Sequence, residues 1–128
     1  MILHLPFPDK SLFPNAKLRG GGWGYAIAPK AKAKEDAYYL TKQAMGDWRP
    51  QDGSIPLSIV FCQPDKRSRD LDGMLGAVKH ALDGIAQALG IDDSRFRPIL
   101  IDAGPVGKPG AVIVAVGVSI TTTAEILA

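Results

Sequence analysis

The sequence predicts an α+β domain in which a small mixed β-sheet is covered by two main helices. A continuous apolar run from Ile55 to Cys62 is typical of a buried strand, and an apolar stripe at helical spacing follows between Leu71 and Leu89. Segments of strand and helix character alternate along the chain, as in α+β and mixed-sheet domains. The 128 residues, 46% hydrophobic and 22% charged, fit a single domain spanning residues 1–128.

The first half of the chain predicts one strand, one long loop and one helix. Ile2 to Phe7 is a short apolar segment closed by prolines, which indicates a first strand. Pro8 to Ala28 contains proline and glycine turn signals and predicts a loop that is long for a small domain. Lys30 to Met45 predicts a helix because alanine and leucine recur at helical spacing, and Gly46 follows as a stop signal.

The second half contains the clearest elements. After the strand at Ile55 to Cys62, one helix face is apolar at Leu71, Met74, Leu75, Val78, Ala81, Leu82, Ile85 and Leu89. Gly90 is well placed to end this helix. Ile99 to Asp102 and Ala111 to Ile120 predict two further strands, and their Gly/Pro-rich connection favours a hairpin.

Composition and charge limit the classes of function. A formal net charge of +2 gives no global basic field, so nucleic-acid binding has to rest on local clusters. The single cysteine, Cys62, has no internal disulfide partner and indicates a buried thiol in a reducing compartment. The first residues lack a signal-peptide pattern, and the longest apolar run, Ala111 to Val118, is too short to cross a bilayer. We therefore expect a cytoplasmic protein without a membrane partner.

Carboxylates stand at both ends of the second helix. Asp70 and Asp72 flank Leu71 at its start, and Asp92-Asp93 lie beyond its end. Helix capping and the helix dipole explain one aspartate at the start better than they explain the whole set. The alternative is a site for Mg²⁺ or Mn²⁺, which bind carboxylates while retaining water and phosphate oxygens. Such an ion activates water and stabilises the charge that develops on a phosphodiester.

Basic residues adjoin both acidic ends, at Lys66, Arg67, Arg69, Arg95 and Arg97. A basic cluster is usually only a solvated surface. A metal-dependent nuclease, however, needs phosphate contacts beside its carboxylates, and this pattern supplies them.

The spacing along the second helix predicts a role for a lysine. Asp72, Gly76, Lys79 and Asp83 share one helical face. Because helical side chains lean toward the N-terminus, Lys79 would extend back over Gly76, which has no side chain to obstruct it, toward Asp72. The alternative is an exposed pair between Lys79 and Asp83, which would contribute little to stability.

Helix length predicts a composite site. From Asp72 to Leu89 a straight helix rises roughly 25 Å, and Asp93 follows too closely for the chain to return to Asp70. One protomer therefore cannot place all these carboxylates around one ion. A two-fold homodimer with antiparallel copies of this helix could do so, because each helix start would lie beside the end of its partner.

These residues resemble the RusA family of Holliday-junction resolvases. The resemblance rests on three ordered segments: Pro64 to Asp72 (PDKRSRDLD), Lys79 to Asp83 (KHALD) and Asp92 to Ser94 (DDS). Leu5 to Pro8 with Asn15 is similar to the family's opening motif, and Lys30 to Tyr38 to its first basic helix. The resemblance covers most of the chain, and it is loose except in the central motif.

The resemblance implies a RusA-like fold and a homodimeric, Mg²⁺-dependent endonuclease that makes paired nicks in four-way DNA junctions. By position, Asp70 and Asp72 match the first two metal-binding carboxylates, and Asp93 matches the third, with Asp92 as a substitute. Mn²⁺ is an alternative ion.

The sequence departs from the family pattern at two positions. The asparagine usual after the second aspartate is Gly73, and the lysine one turn after Asp72 is replaced by Gly76. Lys79 keeps a four-residue spacing to an aspartate, Asp83, as if the helix carried one inserted turn. We expect Lys79 to take the catalytic role of stabilising negative charge.

We expect the DNA phosphates to be contacted by Lys66, Arg67, Arg69, Arg95 and the group Lys30, Lys32 and Lys34. For that last group a solvated helix face is at least equally well supported. Aromatic residues of the early loop, Phe13, Trp23 and Tyr25, are candidates for stacking on exposed bases, although packing is the simpler explanation for at least two of them. His4 and His80 are not expected to be ligands.

Two other classes of function remain open at the level of sequence. The first is a branched-DNA-binding protein of the same fold that no longer cuts, which Gly73 and Gly76 favour. The second is a dimerisation module in which the aspartates only cap helices.

Overall fold

A four-stranded mixed sheet is the framework of the computed structural model, which describes residues 1–14 and 27–118. The strands and main helices are, in chain order, β1 (Ile2–Leu5), α1 (Ile27–Met45), β2 (Ile55–Cys62), α2 (Leu71–Leu89), β3 (Phe96–Ala103) and β4 (Ala111–Val116). Short 3₁₀ turns occupy Lys10–Leu12 and Asp93–Arg95. The predicted α+β class, with a mixed sheet and two helices, is confirmed.

β2 lies inside the sheet, whose order is β1-β4-β2-β3. β2 pairs in parallel with β3 and antiparallel with β4, while β1 pairs antiparallel with β4. The predicted hairpin between the last two strands is therefore wrong, because β2 separates them. Val60 and Phe61 are both fully buried, which shows that β2 is apolar on both faces and is stabilised by an interior position.

Element ends differ from the predicted ones where proline is involved. β1 ends at Leu5, before Pro6, which has no N–H to continue the ladder. α1 begins at Ile27 rather than at Lys30, since Pro29 falls in the first helical turn, where its missing N–H is not needed.

The later strands differ from their predicted bounds as well. β3 begins at Phe96, before the predicted start at Ile99. β4 ends at Val116, and Gly117 follows with a left-handed φ of 79°. The predicted end of this strand, Ile120, lies outside the described residues.

Both helices cover the same face of the sheet. Leu57, Ile59 and Phe61 of β2 point toward them and share one core with the apolar side of α2, formed by Met74, Val78, Ile85 and Leu89. The opposite face carries a small separate cluster of Val60, Ile113 and Ala115, with Cys62 at its margin. Across residues 1–14 and 27–118, the helices are all too short or too polar to traverse a lipid bilayer.

The two helices approach each other most closely at Gly84 of α2. A Cβ atom there would overlap the carbonyl oxygen of Lys34 and lie 3.2 Å from the Cβ of Ala37. The small side chains of Ala77 and Ala81 on the same helix are buried as well. Gly84 is therefore required by helix packing, a role that its place in the sequence does not reveal.

Candidate metal and nucleic-acid site

The candidate carboxylates lie on the unit formed by β2, α2 and β3. Asp70 ends the loop that leaves β2, and Asp93 lies in the turn before β3. α2 is unbroken over 19 residues, which separates these two positions by roughly 27 Å along the helix. Within residues 1–14 and 27–118, no three His, Cys, Asp or Glu side chains come together as a metal-binding group. One protomer thus presents two separate acidic ends.

Asp70 occupies the N-cap position of α2 without using its side chain as a cap. Its backbone is extended, with φ −78° and ψ 146°, but its carboxylate makes no capping hydrogen bond. The carboxylate of Asp72 accepts a hydrogen bond from the N–H of Gly73 at 3.0 Å. Both aspartates are exposed. Capping therefore does not account for the carboxylate of Asp70, which lies at the positive end of the helix dipole.

Arg69 braces the loop that carries Asp70. Its guanidinium donates hydrogen bonds to Gln63 Oε1 at 2.9 Å and to Asp65 Oδ1 at 2.8 Å, and lies 5.3 Å from the ring centre of Phe7. The side chain is only 17% exposed. The hydrogen bond from Arg69 is the main cause that lowers the pKa of Asp65. A phosphate contact by Arg69, as predicted, would compete with these bonds.

Arg67 and Lys66 are more exposed than Arg69. The side chain of Arg67 is 81% exposed and reaches Asp65 only at 3.8 Å. Lys66 is also exposed. These two cations are therefore the residues of the loop that are placed to meet a phosphate.

Pro14 packs against Gly76 on α2. Its Cγ lies 3.1 Å from the position that a Cβ on Gly76 would take. The predicted open path for Lys79 over Gly76 is therefore wrong, because Pro14 fills the space above that glycine. Lys79 itself is exposed, and the ion pairs in the described part of the chain do not include one between Lys79 and Asp83.

Lysines from both helices meet around His80. Burial is the first cause that lowers the pKa of His80, and the charge of Lys30 is the second; Asp83 opposes the shift, and Lys79 and Lys34 add to it. Lys32 differs from these three because its ammonium donates to the carboxylate of Asp36 at 2.9 Å. We refer to Lys30, Lys34 and Lys79, whose charges all act on His80, as the basic strip; Lys32 is instead in an ion pair with Asp36.

The two aspartates beyond α2 have different surroundings. The carboxylate of Asp92 accepts a hydrogen bond from the N–H of Ser94 at 2.9 Å, which lowers the pKa of Asp92. Desolvation raises the pKa of Asp93, and hydrogen bonding to Asp83 and Asp92 raises it further. Asp92 is engaged as a cap of the 3₁₀ turn, so the geometry favours Asp93 as the ligand. Sequence reasoning missed the influence of Asp83 on the pKa of Asp93.

Arg95 anchors a neighbouring turn. Its Nε and Nη2 donate to the carbonyl oxygens of Gly53 at 2.8 Å and Gln51 at 2.6 Å. Arg95, which was predicted to contact phosphate, is therefore already hydrogen-bonded to the backbone of the turn before β2.

Of the three aromatic candidates for base stacking, Phe13 lies in the described part of the chain. Phe13 packs against the core, and its ring centre lies 6.2 Å from that of Phe7, so packing accounts for it. Trp23, Tyr25 and Asn15 lie outside the described residues. His4 is exposed on β1, opposite Ile113.

The fold and these residues define a class of protein: a mixed-sheet α+β domain with carboxylates at both ends of one helix and cations beside them. No family model matches the chain. The chain is 36% identical over 118 residues to an uncharacterized protein of Xylella fastidiosa (strain Temecula1), a match that covers 89% of this chain and 74% of that protein. The chain belongs to the same family as that protein.

Proposed function

We propose that this chain is a Mg²⁺-dependent, structure-specific endodeoxyribonuclease of the RusA type, which cuts four-way DNA junctions as a homodimer by paired phosphodiester hydrolysis. One observation carries the proposal: the exposed carboxylate of Asp70 makes no capping hydrogen bond, although it stands at the N-cap of α2 beside Asp72. A merely structural aspartate at this position would be expected to cap the helix.

The donor set fits the proposed ion. Mg²⁺ is usually held by one or two carboxylates and keeps several waters and phosphate oxygens, and Asp70 with Asp72 offers that number. Asp93 of a second copy would add the third carboxylate. When bound, the ion would supply an activated water and compensation for negative charge, and Mn²⁺ could replace it.

The other residues would stabilise negative charge, bind phosphates or hold the loop that carries Asp70. Lys79 would stabilise negative charge, and its exposed position is compatible with contact to DNA. Lys66, Arg67, Lys30 and Lys34 would bind phosphates of the junction arms. Arg69 would act through the loop, because its hydrogen bonds fix the segment that ends at Asp70. We also propose a cytoplasmic location, which the free thiol of Cys62 supports.

A second candidate is a branched-DNA-binding protein with weak or no nuclease activity. Its supporting observation is the contact of Pro14 with Gly76, because this position holds a lysine in the pattern that the chain resembles. In this reading the basic strip binds DNA and the carboxylates do not lead to cleavage.

A cleavage assay on a four-way junction and on linear duplex, each with Mg²⁺, tests the proposal. We expect paired nicks in the junction only, and a loss on the order of 100-fold or more for Asp72→Asn, the scale of a lost transition-state contact. Asp52→Asn, an exposed aspartate in the turn before β2, is the matched control and keeps full activity.

Each contrary result has its own meaning. Equal cutting of both substrates keeps a nuclease and removes junction selectivity. Junction binding without nicking in Mg²⁺ or Mn²⁺ supports the second candidate. Absence of junction binding at low salt, where phosphate-driven binding is strongest, removes both.

A further inference from the structure

The β3–β4 connection, residues 104–110, is packed against the loop that follows β2. The N–H of Gly107 donates a hydrogen bond to the carbonyl oxygen of Gln63 at 2.9 Å. A Cβ on Gly110 would lie 3.0 Å from the ring of Pro64, so the backbone of this glycine also approaches the same loop closely. Two loops that are far apart in sequence therefore form one packed unit.

The parallel pairing of β2 and β3 explains why these loops meet. Parallel strands end at the same edge of a sheet, and ligands of open α/β sheets bind outside the carboxyl ends of such strands. β2 and β3 are paired in parallel up to Phe61 and Ala103. Asp70 ends the loop that leaves β2, so the β3–β4 connection starts at the edge of the sheet from which the loop of Asp70 also starts.

Hydrogen bonds continue from the β3–β4 connection to the residue before Asp70. Gly107 binds the backbone of Gln63, and the side chain of Gln63 accepts a hydrogen bond from Arg69 at 2.9 Å. Arg69 directly precedes Asp70. The connection is thus tied to the same bracing contacts that hold the candidate carboxylate.

Lys108 is the cation of this connection. It directly follows Gly107, and it is exposed. The ion pairs among the residues that the structure describes involve Lys32, Arg67 and Arg69, and Lys108 takes part in none of them. A phosphate could therefore bind Lys108 without breaking an ion pair of this part of the chain, whereas a phosphate at Arg69 would compete with Asp65.

We propose that Lys108 binds a backbone phosphate of the DNA beside the carboxylate of Asp70, and that the β3–β4 connection forms a second wall of the site. This inference rests on the proposed function only for the nature of the ligand, which is DNA. Lys66 and Arg67 present their charges from the loop after β2, and Lys108 adds a third cation from the packed neighbouring loop. Its role is binding and not chemistry.

The contact between the loops limits how far apart the bound phosphates can be. Lys66 lies three residues from Gln63, and Lys108 lies one residue from Gly107. With about 3.8 Å between consecutive Cα atoms and one hydrogen bond between the loops, the Cα atoms of the two lysines are at most about 22 Å apart. That is less than one turn of duplex, which is roughly 34 Å. Both lysines can therefore contact the same duplex arm.

Junction binding without divalent metal ions measures this contact apart from cleavage. We expect Lys108→Ala to bind a four-way junction several-fold more weakly and to reduce the slope of affinity against salt by about 1, because one phosphate contact is lost. Lys108→Arg should keep the slope. Lys42→Ala is the matched control for the lost charge, since this ammonium lies 5.8 Å from the ring centre of Tyr38, and it should keep the slope as well.

Neutral phosphates locate the contact on the DNA. A methylphosphonate removes the charge of one phosphate, and a double-mutant cycle shows which side chain is coupled to that phosphate. We expect one methylphosphonate position that weakens binding by the unchanged chain but not by Lys108→Ala. The same scan with Lys66→Ala should reveal a different phosphate less than one duplex turn away. Val106→Ala, at a residue of the same connection that is 47% exposed, should behave as the unchanged chain does.

The results separate this inference from the proposed function. An unaltered salt slope for a folded Lys108→Ala variant, an equal reduction for Lys42→Ala, or a scan without a coupled phosphate refutes the contact, even if the junction is cut. A coupled phosphate on a junction that is bound but never nicked supports the contact and refutes the nuclease. A chain that binds no junction at low salt refutes both. Circular dichroism establishes that each variant is folded.

Discussion

Asp93 and Asp83 lie near enough to each other at the end of α2 that Asp83 contributes to raising the pKa of Asp93. Desolvation and this contact hold the pKa of Asp93 above its ordinary value of 3.8, so the folded chain binds that proton more tightly than the unfolded chain. Stability from this group is therefore lost as pH rises from 3.8 through the raised value in the folded chain.

We expect Asp83→Asn to lower the pKa of Asp93 toward its ordinary value, because the variant removes the like charge. The measurement is an NMR titration of the Asp93 carboxyl carbon. Asp47→Asn, at an exposed position beyond α1, serves as the control and leaves that titration unchanged. An unaltered Asp93 titration in Asp83→Asn would show that desolvation and Asp92, without Asp83, set the shift.

Mixed variants test whether the site is shared between copies. Asp72→Asn and Asp93→Asn are each expected to be inactive alone. In a heterodimer of the two, a composite arrangement leaves one site with Asp70, Asp72 and Asp93 all intact. We expect nicking of one junction strand to return to about a quarter of the unchanged rate when the variants are refolded together, because about half of the dimers are heterodimers and each has one intact site of two.

The same mixture also tests the alternative, in which each site uses the Asp93 of its own chain. If Asp93 served the site of its own chain, both sites in the heterodimer would carry one substitution. Nicking would then stay at the level of either variant alone.

Helix packing predicts that one glycine-to-alanine substitution in α2 destabilises the fold and that another stabilises it. Gly84→Ala would force α1 and α2 apart, because the added Cβ overlaps the carbonyl oxygen of Lys34. We expect a loss of about 1–3 kcal/mol in the free energy of unfolding, measured in urea. Gly73→Ala, in the same helix with nothing within 4 Å, should instead gain up to about 1 kcal/mol. Equal effects at both positions would contradict the close approach.

Two arginines of one loop should respond differently. Arg69→Ala removes the hydrogen bonds to Gln63 and Asp65, so we expect a lower urea midpoint than for Arg67→Ala. Arg67→Ala should instead reduce the slope of junction affinity against salt by about 1, because it removes a single phosphate contact. If Arg69→Ala changed only the salt slope, the bracing role would be refuted.

The lysines of α1 provide a further matched set. Lys34→Ala and Lys30→Ala are each expected to weaken junction binding several-fold and to reduce its salt slope by about 1, because both lie in the strip around His80. Lys32→Ala should have the smallest effect, since that ammonium is already paired with Asp36. Fluorescence anisotropy at several salt concentrations measures all three.

The sequence predicts the elements whose pattern is purely local. The bounds of β2 and α2 follow from an apolar run and a helical stripe, and the structure places both as expected. The strand that pairs with β3 could not be predicted from a local pattern. A Gly/Pro-rich connection favours a hairpin, but burial of β2 on both faces decides that it lies between the other strands.

The site was predictable as a set of residues but not as a set of contacts. Spacing identifies Asp70 and Asp72, and it groups three lysines that the structure then divides. The packing of Pro14 on Gly76 involves residues far apart in sequence, so no local pattern could reveal it.

The position of β4 bears on how the chain comes to fold during synthesis. In the described part of the chain, β1 joins the sheet only through β4, the last strand made. The N-terminal strand must therefore wait, unpaired, until residues 111–116 have left the ribosome. A message truncated before that point would yield a chain whose first and central strands cannot be joined, and quality-control proteases would remove it.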